Sequence, residues 1–174
     1  MMNKRLKQGS TFLLAVALTF PLLTLPGAKA ASAINTGQKC SIEFDISGNS
    51  SELLSASIPV KLYKVASVDE SGNYTATGAF SKLDLSSVSA DNLDTAAATW
   101  KERANKAKEK LTDSDGNTVV EPTETVTLQN GRGYKNKLET GLYLVDTPKV
   151  ITTNYTYTFT PYLVSLPTNN YYSG

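Results

Sequence analysis

The alternation of apolar and polar positions is strongest between residues 140 and 167 (TGLYLVDTPKVITTNYTYTFTPYLVSLP), and it predicts two adjacent β-strands. In the first, residues 141–145, the side chains of Leu142, Tyr143, Leu144 and Val145 are apolar on both faces. That pattern predicts a central strand with something packed on each side. In the second, Tyr155, Tyr157 and Phe159 share one face while Thr156, Thr158 and Thr160 take the other, the period of a half-buried strand. Beyond Pro161 the apolar positions move to Tyr162, Val164 and Leu166, and a bulge at the proline accounts for the slip.

The same patterning runs through the rest of the chain. Ile42, Phe44 and Ile46 alternate with Ser41, Glu43 and Asp45, giving a strand with one wet side. Residues 48–57 read as a polar loop. Ile58, Val60, Leu62 and Ala66 then share a face with Lys64, Ser71-Gly72-Asn73 supplies a turn, and Tyr74, Ala76, Gly78 and Phe80 return, so residues 58–80 read as a β-hairpin. Leu93, Ala97, Trp100, Ala104, Ala107 and Leu111 recur at spacings of three and four, with Lys101, Glu102, Arg103, Lys106, Lys108, Glu109 and Lys110 between them. This is the signature of an amphipathic helix with a solvated charged face, capped by Asp91 and stopped by residues 113–116 (DSDG). Val126 and Leu128 open another short strand, and Asn130-Gly131 is the dipeptide of a type I′ turn that returns the chain through residues 134–138. Six or seven short strands with one inserted helix predict a mainly β fold, an immunoglobulin-like β-sandwich forming a single domain over residues 31–174.

Composition and charge narrow the function. Lys4, Arg5 and Lys7 precede an apolar run over residues 12–25 that ends in Ala28-Lys29-Ala30, so residues 1–30 read as a secretory signal peptide. The run is shorter than the ~20 apolar residues a membrane span needs, and no membrane association is expected once it is removed. The remaining 144 residues carry 13 basic and 16 acidic side chains, which argues against nucleic acid as a partner. Cys40 is the only cysteine, so no intrachain disulfide staples the domain. An exported, cysteine-poor chain suits the surface of a Gram-positive bacterium.

The chain has no histidine, which removes histidine-based triads and ordinary zinc sites; no enzymatic activity and no cofactor are expected. Two constellations remain. Asp113, Asp115, Asn117 and Glu124 stand at positions 1, 3, 5 and 12 of an EF-hand-type calcium loop, although Thr118 replaces the bend glycine and Pro122 follows. An Asp-Gly turn leaving a helix is the ordinary alternative. Lys64, on an apolar strand face, invites an intramolecular isopeptide bond to an Asn carboxamide, assisted by a protonated carboxyl group beside both; the ordinary alternative is a lysine near a strand end that extends its ammonium to water.

Residues 58–65 (IPVKLYKV), 140–145 (TGLYLV) and above all 155–167 (YTYTFTPYLVSLP) resemble the N-terminal domain of the backbone pilins that sortases assemble on Gram-positive cell surfaces. The resemblance implies an immunoglobulin-like domain and a structural role in a pilus (fimbrial) shaft, with other pilin subunits and sortase as partners if the domain is part of a longer chain. It also implies a further strand after the SLP segment, ending in a lysine motif. The sequence reaches Gly174 before such a strand, and Leu166-Pro167-Thr168-Asn169-Asn170 departs from a sorting signal at its fourth and fifth positions, so no sortase motif is assigned. In related adhesin domains the assisting carboxylate stands where this chain has Thr147, and Asp146, one residue early, would turn to the opposite face. A sandwich without its last strand has an open edge suited to a strand-donating partner. The alternative function is a secreted adhesive module that presents exposed tyrosines, such as Tyr171 and Tyr172, to a host or partner protein.

Overall fold

The computed structural model describes residues 15–17, 33–86 and 93–167. In chain order its strands are Ala15–Ala17 (β1), Cys40–Asp45 (β2), Ile58–Val68 (β3), Tyr74–Ala76 (β4), Glu124–Leu128 (β5), Arg132–Leu138 (β6), Gly141–Asp146 (β7), Val150–Ile151 (β8), Thr156–Tyr157 (β9) and Tyr162–Leu166 (β10). Ser51–Leu54 (α1) is a single helical turn, and Leu93–Lys108 (α2) is the one long helix among the described residues. The fold is mainly β, in antiparallel sheets.

The larger sheet has the order β10-β7-β3-β4, and β5 joins β3 on the same side as β4. The eleven residues of β3 have room for both: β5 pairs with its first half and β4 with its second. A smaller sheet has the order β1-β2-β6. Between the two sheets lies one core, built from Cys40, Ile42 and Phe44 of β2, Ile58, Val60 and Leu62 of β3, Tyr143 and Val145 of β7, and Val164 and Leu166 of β10. A second core covers the other face of the larger sheet, where Tyr63, Val65, Leu142 and Leu144 meet Phe80, Ala104, Ala107 and Leu111. Every residue of β7 is buried, as an apolar run on both faces predicts for a strand packed from both sides.

Gly141 makes this arrangement possible. Its φ is +148°, and a Cβ built there would stand 2.4 Å from the Ala66 carbonyl oxygen and 3.1 Å from Lys64 Cε. The glycine therefore lets β7 approach β3 and lets the aliphatic stem of Lys64 pass over it. The turn between β5 and β6 follows the sequence reading: Asn130 and Gly131 both have positive φ, 51° and 78°. Its two strands, however, belong to different sheets, so this hairpin fastens the sheets together along one side.

Several expectations are corrected. Residues 155–159 do not form a strand beside β7; β10 holds that place, with Tyr162 opposite Val145 and Leu166 opposite Gly141. Thr152 instead donates to the Tyr155 carbonyl through both its backbone N–H and its hydroxyl, which bends the chain into the small β8–β9 ribbon. Tyr155 is left exposed, while Tyr157 is buried and hydrogen-bonded to Ser50 at 2.8 Å. Residues 48–57 are not merely a polar loop, since the Ser50 hydroxyl caps α1 and turns Leu53 fully into the core. A register shift between Lys64 and Ala66 sends Ala66 to the helix-side core, away from the face of Leu62. Residues 78–80 form a 3-10 turn rather than strand, starting at Gly78 with φ +56°.

The helix matches its predicted span, with a 3-10 turn at Glu109–Leu111 completing it, but not its predicted faces. Ala97 is exposed, and Arg103 is buried, so the stripe is narrower and the charged face less uniform than the spacing implies. The Arg103 guanidinium donates to the Ser86 carbonyl oxygen at 2.6 Å and lies 4.9 Å from the centroid of the Trp100 ring. It thereby ties α2 to the segment that leads into it. The N-cap assigned to Asp91 lies outside the described residues. Replacing Arg103 with lysine is expected to lower stability by about 1–3 kcal/mol, because one ammonium cannot both reach Ser86 and lie flat on the indole. Urea unfolding of the variant checks this.

Candidate functional site

Strand β2 is the middle strand of the small sheet, with its backbone paired on both sides. Its inward residues Ile42 and Phe44 are fully buried, and its outward residues Ser41, Glu43 and Asp45 are half-buried. On one side it pairs with β6, Phe44 opposite Gly133 and Asp45 opposite Arg132. The Arg132 Nε–Asp45 Oδ2 pair, at 3.2 Å, lies on the wet face. Gly133 is required there for space, since a Cβ would stand 2.5 Å from Leu128 Cδ2 and 2.8 Å from Val126 Cγ1. On its other side β2 pairs with β1, within the apolar run near the N-terminus: Ala15 opposite Asp45, Val16 opposite Phe44, Ala17 opposite Glu43. The side of the fold away from the β5–β6 turn is thus bounded by β1 in the small sheet and by β10 in the large one. Cys40, at the start of β2, is buried, and burial pushes its thiol pKa up.

In the second half of β3 a polar cluster borders the core. Lys64 Nζ meets Glu139 Oε2 at 2.6 Å, and Lys39 Nζ approaches Oε1 of the same carboxylate at 3.6 Å. The Tyr143 hydroxyl donates to the Glu139 carbonyl oxygen at 3.0 Å, and the Thr140 hydroxyl to the Thr36 carbonyl oxygen at 2.9 Å. Lys64 therefore carries its charge out of the apolar face to a carboxylate at the surface. Asp146 is not its partner. It lies on the helix-side face of β7, opposite Lys61 in register, and binds Lys108 Nζ of α2 at 2.6 Å. The two residues considered for an isopeptide bond are on opposite faces of the sheet.

The structure also separates the four residues considered for calcium. Asp113, Asp115 and Asn117 form one tight turn, in which the Asp113 carboxylate accepts from the backbone N–H groups of Asp115 and Asn117 and from the Asn117 side chain. Glu124 opens β5 and pairs with Lys135. The same turn occurs at Asp69, whose carboxylate accepts from Ser71, Asn73 and the Asn73 amide. Sequence reading found one of these turns as a metal motif and the other as a hairpin turn; the shared D-x-x-G-N spacing is the signal that unites them. Tyr171 and Tyr172 lie outside the described residues.

These bonds fix how stability depends on pH. Hydrogen bonds from Asn73 lower the Asp69 pKa, those from Asn117 lower that of Asp113, and the Lys64 ammonium lowers that of Glu139. Stability from a lowered carboxylate is present above its unfolded pKa, about 4, and is lost as the pH falls further. At the other end, burial raises Tyr63 and Cys40 and pushes Tyr143 up to about 12. Their contribution is present below the unfolded values, about 8.5 for the thiol and 10 for the phenols, and is lost as the pH rises. Without histidine, no side chain of ordinary pKa titrates between. Thermal melts are expected to give a flat plateau from about pH 5 to 8 with a decline on each side; a slope within the plateau would contradict this assignment.

No family model, curated protein or solved structure matches the chain.

Proposed function

We propose that this chain is a structural cell-surface protein of a Gram-positive bacterium: the immunoglobulin-like N-terminal domain of a pilus backbone subunit, or a relative of one. One observation carries the reading. Most of the stretches that bear the resemblance come together: residues 58–65, 140–145 and the second half of 155–167 supply β3, β7 and β10, three neighbouring strands of one sheet, while residues 156–157 lie apart in the β8–β9 ribbon. A resemblance scattered over unrelated surface would carry less; this one follows the inner frame of the domain. The role is mechanical and assembling rather than catalytic, with other pilin subunits and sortase as partners of a longer chain. The test is an immunoblot of the source cells with antibody to residues 31–174. A high-mass ladder in the boiled cell-wall fraction is expected, whereas a single band of the mature size in the medium would overturn the polymerised role.

A second reading, a secreted adhesive module, is favoured by the β8–β9 ribbon. Ile151 and Tyr155 stand 69% and 44% exposed there, and the Tyr155 ring lies 6.0 Å from that of Tyr157. Apolar groups presented at a loop tip are suited to contact with another protein. Exchanging both for serine would abolish attachment to host or partner surfaces without changing the melt if adhesion is the function.

A further inference from the structure

We infer that the edge of β2 is a strand seat, that residues 15–17, within the apolar run of the leader, fill it in the precursor, and that leader removal vacates it. The inference rests on the leader reading and is independent of the pilin reading.

The argument starts from backbone chemistry. A strand at a sheet edge presents a row of N–H and C=O groups, and an extended segment that pairs with them gains main-chain hydrogen bonds whatever its sequence. Among the described residues, the only segment beside β2 opposite β6 is β1. Its register is antiparallel and unbroken over three residues, centred on Val16 opposite Phe44. Phe44 is fully buried, so this edge borders the main core rather than a peripheral flap. Residues 15–17 lie inside the apolar run 12–25, upstream of the small-x-small site at residues 28–30. A cut there would take the pairing strand away and leave β2 with β6 alone.

The chemistry of the seat limits what fits. Inward positions must be small or apolar, and Glu43, which has no ion-pair partner among the described residues, favours an uncharged or basic residue opposite it. The leader meets both conditions: Ala17 stands opposite Glu43, and the acidic residues of the chain all lie after residue 30.

The test uses the full chain, residues 1–174, and reads amide hydrogen exchange strand by strand. Proline at position 16 removes a backbone donor and cannot hold a ladder. The Val16→Pro chain is expected to exchange the amides of residues 40–46 about tenfold faster or more, with β3 and β7 unchanged, and added peptide of residues 11–21 to restore protection. Equal protection of residues 40–46 in both chains would overturn the seat. A second measurement does not depend on the proline variant folding. Ala17→Cys combined with Glu43→Cys, in a Cys40→Ala background, places two thiols at register partners. Air oxidation is expected to close an intramolecular disulfide, and thiols that stay free would overturn the pairing. N-terminal sequencing of the exported chain tests the leader separately, so failure of the seat and failure of the leader reading are distinguishable. If the exported chain instead self-associates through β2, the peptide of residues 11–21 is expected to dissociate it; self-association that the peptide leaves untouched would count against the seat.

Discussion

Replacing Gly141 with valine is expected to cost about 3 kcal/mol or more and to leave little folded protein at 37 °C. Two effects act together. The backbone at this position has φ +148°, which side chains with a Cβ rarely adopt, and the added carbon would stand 2.4 Å from the Ala66 carbonyl oxygen. Backbone cannot retreat as a flexible side chain can, so β7 would have to move away from β3. These are the two central strands of the large sheet and together they supply residues to both cores. The first turn of β7 would therefore lose contacts on both faces, and the Lys64 stem, 3.1 Å from the same point, would lose its path to Glu139. Urea unfolding of the purified variant measures the cost. A midpoint within experimental error of the parent would show that the approach of β7 to β3 is looser than these distances require.

The second large effect is expected at Leu53. Its side chain is fully buried in the main core, although it comes from a four-residue helix in a stretch of serine, glycine and asparagine. Truncation to alanine is expected to cost about 2–5 kcal/mol, the range for a leucine whose cavity only partly collapses. Collapse is restricted here. α1 is held at its start by the Ser50 cap, and Ser50 is itself bonded to Tyr157, while Glu52 accepts from Asn154 at 2.8 Å. The helix is thus fixed to the β8–β9 ribbon and cannot slide into the space. A double-mutant cycle with Tyr157→Phe should show coupling, since the Tyr157–Ser50 bond holds the capped turn that places Leu53 in the core. Additive effects would mean that α1 and the ribbon are anchored independently.

Leu53 also shows where sequence reading stops. A single helical turn has no period to detect, so its one apolar anchor is hidden among polar neighbours. Strand β7 was legible because four consecutive apolar residues cannot be satisfied by one buried face, and the β5–β6 turn because only a few residues tolerate two positive φ values in succession. What alternation does not give is the neighbour. The pattern at residues 155–159 specifies faces as well as that at 162–166 does, yet only the latter lies against β7. Arg103 escaped for a different reason. A charged residue among lysines and glutamates reads as surface, and only the positions of Ser86 and Trp100 make its burial favourable. For the candidate site, the wet and dry faces of β2 were legible from residues 41–46. The segment paired with its edge was not, because residues 12–25 read as a leader before they read as anything else.

The buried thiol of Cys40 makes the domain its own gauge. It is the only cysteine in the chain, it lies on β2, and it is about 3% exposed, so an added thiol reagent can reach it only when that strand opens. When opening is rapid and reversible, the labelling rate is the open fraction multiplied by the rate for a free thiol, and burial slows the closed form further by favouring the unreactive protonated sulfur. A single mass increment, followed over time without any engineered probe, therefore reports how tightly β2 is held in each form of the protein.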